Sequence, residues 1–129
     1  MTKTLLGVLV LQLLGEVLAS FTAIFTPAWG LEAFQVQVSP DTRFLAFVVG
    51  LAFAFVSVII FLAIYGIYKK IRFGWYLSYS LGGFWIIFGG SIFLTYGRIE
   101  NLYLDFLPGL IVSTLAYFSY RNHGAMLLG

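Results

Sequence analysis

The sequence predicts an all-α integral membrane protein, a four-helix bundle forming one transmembrane domain over residues 1–129, with both termini in the cytoplasm. Three observations carry that expectation. Apolar residues make up 61% of the chain and charged residues only 9%, against about 25% charged in soluble domains. The apolar residues gather into four runs of spanning length, and the basic residues divide unequally between the intervening loops. A soluble domain this small could not cover so much apolar surface, because the fraction buried on folding falls with size. A bilayer covers it instead.

Helix one is expected over about 5–29. At about 1.5 Å per residue, such a run crosses a hydrocarbon core of about 30 Å. Pro27 and Gly30, in Thr26-Pro27-Ala28-Trp29-Gly30, end it. Lys3, the leucine-rich run and Val17-Leu18-Ala19 also resemble a signal peptide with its cleavage site. The apolar run continues past Ala19 to Trp29, however, longer than a signal core, which favours a retained helix. Over Leu31 to Val38, Phe34, Val36 and Val38 alternate with Gln35 and Gln37, and that period of two predicts a short extended segment at the membrane surface.

Helix two, about 41–69, opens at Ser39-Pro40-Asp41: an N-cap, a proline suited to the first turn and an acid favourable to the helix dipole. Lys69-Lys70-Ile71-Arg72-Phe73-Gly74 forms a tight basic turn into helix three, about 75–97. Arg98 to Asn101 turns the chain into helix four, about 102–120. That last helix carries Asp105 and Pro108 near its start, where a proline displaces no intrahelical donor. Lys3, Lys69, Lys70, Arg72 and Arg121 fall on one side, and Arg43 and Arg98 on the other. Excess lysine and arginine mark cytoplasmic loops, so the termini and the second loop are expected inside. The rings of Trp29, Trp75, Tyr76, Tyr96, Tyr103 and Tyr120 fall near the expected interfaces.

Helices in lipid associate through close approach at small residues. Gly15, Ala19 and Ala23 in helix one, Ala46, Gly50 and Ala54 in helix two, and Ser78, Gly82, Gly83, Gly90 and Gly97 in helix three supply them. The expected packing positions are Gly15, Ala19, Gly50, Ala54, Gly83 and Gly90; alternatively, Gly82-Gly83 and Gly89-Gly90 open space for a ligand or let helix three flex.

Glu16 lies near the middle of helix one, where ionisable residues cost about 2.5 to 3.5 kcal/mol on insertion scales. Gln12 and Ser20, four residues before and after it, share its stripe. The candidate ligand-binding set is therefore Glu16, Gln12 and Ser20, with Tyr79, Gly82 and Gly83 facing it. The structural alternative is an interhelical hydrogen bond from Glu16 to Tyr79, Ser91 or Ser113. Asp105 is explained by its place near a helix start, and Glu32, Asp41 and Glu100 are loop acids.

Several classes are disfavoured. The chain has no cysteine and one histidine, His123 in the tail, so neither a metal site nor a cofactor is expected. A net charge of +2 without a clustered basic face argues against nucleic acid. No histidine or lysine within the spans can activate a hydroxyl, and Glu16 and Asp105 differ in depth by about half the bilayer, so no enzymatic activity is expected.

Phe25-Thr26-Pro27, a short loop, and Pro40-Asp41-Thr42-Arg43-Phe44 leading into a glycine-bearing second helix give a layout that resembles small four-helix bacterial membrane proteins of the DoxX-like kind. The resemblance spans nearly the whole chain and implies a multi-pass bundle in a bacterial inner membrane, with no catalytic residues. Gly15-Glu16-Val17 also resembles the central glutamate of small multidrug resistance transporters. The long first loop, the charge bias and the missing lysine and glycine motif after helix one depart from that family. The leading functional expectation is a non-enzymatic protein acting through helix contacts, as an accessory subunit of a membrane complex or as a homo-oligomer. The alternative is a binding or transport protein for a lipid, small hydrophobic molecule or cation, using Glu16.

Overall fold

A computed structural model describes residues 2–123. They are all-helical: α1 (Thr2–Phe25), α2 (Pro27–Ala33), α3 (Pro40–Tyr68), α4 (Arg72–Tyr96), α5 (Ile99–Asn101), a π-helical turn (Leu102–Phe106) and α6 (Leu107–His123). Four helical stretches among the described residues, Thr2–Phe25, Pro40–Tyr68, Arg72–Tyr96 and Ile99–Asn122, are long and apolar enough to cross a membrane. The expected cytoplasmic placement of the C terminus concerns a segment outside the described residues.

The segment over Leu31 to Val38 is not extended as expected. Leu31 to Ala33 close α2, which Pro27 initiates from the first turn. Gln35 takes φ 58°, while its N–H bonds to Glu32 O at 3.0 Å and that of Val36 to Leu31 O at 2.8 Å. These two bonds form a Schellman closure. A lone alternating segment has no strand to pair with, so its backbone groups are better satisfied by a helix end.

The start of α3 follows expectation. Ser39 Oγ accepts the N–H of Thr42 at 3.1 Å, and Thr42 Oγ1 accepts that of Ser39 at 2.8 Å, a reciprocal cap around Pro40. Its far end closes like that of α2. Lys70 has φ 59°, with Lys70 N–H on Ile67 O at 3.1 Å and Ile71 N–H on Gly66 O at 2.8 Å.

The described residues form two compact units, one from those up to Gln12 together with those from Ile59, the other from Leu13–Val58. In the first, the core is Leu5, Leu9, Ile60, Ala63, Ile67, Trp75, Leu81, Trp85, Val112 and Ala116, together with fully buried Ser78 and Ser119. Alternating three- and four-residue steps put Trp75, Ser78, Gly82, Trp85 and Gly89 on one face of α4. Ser119 Oγ receives the indole N–H of Trp75 at 3.0 Å and lies 2.7 Å from Thr2 Oγ1. α3 and α4 meet backbone to backbone: a Cβ on Gly66 would lie 2.7 Å from Gly74 Cα. Gly82 faces α6, where an added Cβ would collide with Ser113 Oγ.

The π-helical turn lies against Gly89, whose added Cβ would come 2.6 Å from Phe106 N and 2.7 Å from Asn101 O. Leu107 N–H reaches back to Leu102 O. Pro108 supplies the reason. It offers no N–H, and its ring crowds the carbonyl four residues earlier, so a wider turn relieves the clash. Asn101 Nδ2 donates to Asp105 Oδ2 at 2.9 Å, which accounts for the half-buried Asp105 at a helix start.

A candidate hydrophobic binding cleft

The unit formed by Leu13–Val58 contains a cleft of about 490 Å³, within the range of about 300–1,000 Å³ common for ligand sites. One wall is α1, from Gly15 through Leu18, Ala19 and Thr22 to Ala23. A second is α3, through Thr42, Leu45, Ala46, Val49 and Phe53. Pro27, Trp29, Gly30, Leu31 and Ala33 of α2, with Phe34 and Val36, complete the lining. Small side chains make the space: with alanines at 19, 23 and 46 and a glycine at 15, the facing helices leave a gap that larger side chains would fill.

The lining is apolar in practice as well as in composition. Its two hydroxyls are already committed to the backbone, Thr22 Oγ1 donating to Leu18 O at 2.9 Å and Thr42 Oγ1 to Gln37 O at 2.9 Å. Hydroxyls bonded back into their own helix or cap offer a ligand little polar recognition. α1 and α3 are held at this spacing where a Cβ on Gly50 would come 2.8 Å from Ile24 Cγ1 and 3.0 Å from Ala23 Cβ. There Ser20 Oγ donates to Gly50 O at 2.8 Å.

The candidate residues read from the sequence take different places. Gly15 and Ala19 line the cleft, whereas Glu16 and Ser20 lie beside that wall, both buried, at 8% and 6% exposure. Glu16 is engaged rather than free. Gln12, Tyr79, Gly82 and Gly83 belong to the other unit, where Gln12, Tyr79 and Gly83 are half-buried and Gly82 is buried. Gly50 is a close contact and Ala54 is half-buried; a Cβ on Gly90 would reach only ordinary distance, 3.5 Å, from the Phe106 ring. At Gly15 and Gly83 an added Cβ would meet nothing within 4 Å. Sequence reasoning did not single out Leu18, Thr22, Leu45, Val49 or Phe53 as lining residues. The one available signal was alanine at 19, 23 and 46 on two long helices that follow one another in the chain.

Among the described residues, no group of three or more histidine, cysteine or acidic side chains is placed to hold a metal ion. The arrangement can shelter a hydrocarbon; it has no assembled nucleophile or acid–base pair. Comparison with protein-family models, curated proteins and solved structures returns no match for this chain.

Proposed function

We propose that this is a multi-pass membrane protein, with its termini on the cytoplasmic side, that binds a small hydrophobic molecule or lipid in the cleft between α1 and α3. The cleft is the observation that carries the reading. In a membrane, an apolar hollow between two helices of spanning length would be reached by molecules already dissolved in the lipid.

The test is retention of hydrophobic molecules by protein purified in mild detergent, measured by native mass spectrometry. Ala46→Phe, which fills the cleft, should reduce retention by tenfold or more, since each buried methylene contributes about 0.8 kcal/mol. Leu11→Phe, on an exposed face of α1 outside the cleft, is the control and should change nothing. Equal retention by wild type and Ala46→Phe would sink the proposal.

A second reading is association with another membrane subunit or a second copy through small-residue faces. The open space at Gly83 on α4 favours it, because a helix from another chain could approach closely there.

A further inference from the structure

The chemistry of the cleft and its surroundings narrows the occupant. Along α3 the lining runs from Thr42 to Phe53, about 16 Å of helix. The volume of about 490 Å³ spread over that length leaves a mean cross-section of roughly 30 Å², room for a single hydrocarbon chain. Since both lining hydroxyls are spent on backbone carbonyls, a polar group carried inside would lose its hydration without replacement. The polar part of the occupant must therefore stay at the end of the cleft near the N-terminus of α3.

That end is chemically distinct. A second hollow, about 360 Å³, is lined by Val38, Ser39, Pro40 and Arg43, immediately next in sequence to the lining residue Thr42. Arg43 is three residues before Ala46 and so shares its side of α3. It is the sole basic residue between Leu13 and Val58, is exposed, and forms no ion pair among the described residues. A guanidinium is suited to a phosphate, which it can bind through paired hydrogen bonds. Glu32 and Asp41 are the exposed acids of the same unit. With one exposed guanidinium against two exposed carboxylates, the unit carries a net negative exposed charge, which disfavours a head carrying only negative charge and favours one that joins its phosphate to an ammonium.

We propose that the cleft takes one acyl chain of a zwitterionic aminophospholipid, with the lipid phosphate on Arg43; this rests on reading the cleft as a hydrophobic binding site. The experiment offers the full-length protein, in detergent, equimolar phosphatidylethanolamine, phosphatidylglycerol and diacylglycerol with identical chains, and quantifies what is retained. Wild type should favour phosphatidylethanolamine over diacylglycerol by about tenfold, the scale of one charge-assisted hydrogen bond. It should also favour it over phosphatidylglycerol. Arg43→Gln should bring phosphatidylethanolamine down to the diacylglycerol level without abolishing retention, and Arg43→Lys should keep part of the preference. Ala46→Phe should lose all three lipids. Equal retention of phosphatidylethanolamine and diacylglycerol by wild type, with loss on Ala46→Phe, overturns the Arg43 assignment and leaves the cleft standing. A preference for phosphatidylglycerol overturns the zwitterionic assignment. Undiminished retention of all three by Ala46→Phe overturns both readings.

Discussion

Gln35 and Lys70 hold left-handed backbone without being glycine, at φ 58° and 59°, each closing a helix. A non-glycine residue there costs about 1 kcal/mol or more, and part of that is recovered when glycine is substituted, after allowing for its greater freedom in the unfolded chain. Gln35→Gly should therefore stabilise the protein by up to about 1 kcal/mol, seen as a higher midpoint in thermal unfolding in detergent; a lower midpoint would show that the Gln35 side chain contributes something the glycine loses. These two closures were not legible in the sequence, because glycine is the usual sign of such a position. The Ser39 cap was legible, since serine before proline and an acid has a defined chemistry at a helix start. Ser20 was legible as a polar residue needing a partner, but its acceptor, the Gly50 carbonyl, belongs to another helix and leaves no mark in local spacing.

At the scale of elements, neighbouring glycines point in different directions. Gly82 is pressed against Ser113 and the Gly109 carbonyl, whereas Gly83, about 100° further round α4, has open space. Gly82→Leu should cost several kcal/mol through overpacking against backbone, where even tolerated insertions cost about 1–3 kcal/mol, and should greatly reduce folded yield. Gly83→Leu should change the stability of the isolated chain by less than about 0.5 kcal/mol. If a partner docks on that face, the same variant should release it from co-purified material, and its continued co-purification would argue against a Gly83 interface. Small-residue spacing identified the helices able to pack closely. It could not decide which of two adjacent glycines faces a neighbour, since both satisfy the same spacing. The π-helical turn was likewise hidden: Pro108 was expected near a helix start, where it displaces no donor, but helix begins at Ile99 and places it in the interior, and Gly89 supplies the surface the turn lies against.

At the scale of the whole molecule, many large apolar side chains lie exposed. α3 exposes Phe44, Phe47, Phe55, Phe61 and Leu62 while burying Gly50, Ala63 and Gly66. Water would penalise that distribution, whereas lipid accepts it, and it accompanies the four helices long enough to span a bilayer. On the proposed orientation, Lys69 is cytoplasmic and Arg98 is not. The chain has no cysteine of its own, so single cysteines can report this directly: a membrane-impermeant maleimide applied to intact cells should label Arg98→Cys and leave Lys69→Cys unmodified, and the reverse pattern would invert the topology. Composition and run length made the helical class legible because they reflect the solvent the chain prefers. The cleft was not legible, because a hollow depends on the distance between helices, and the segment joining α1 to α3 permits several.

The contact between Gly66 and Gly74 joins residues only eight positions apart, across the turn at Lys69 to Ile71. Closing so short a loop costs little entropy, and contacts of low sequence separation form early. For a chain threaded into a bilayer during synthesis, α3 and α4 can therefore enter as a paired hairpin, before the segments that follow have left the ribosome. A bulky residue at either glycine is therefore expected to disturb the pairing of α3 with α4.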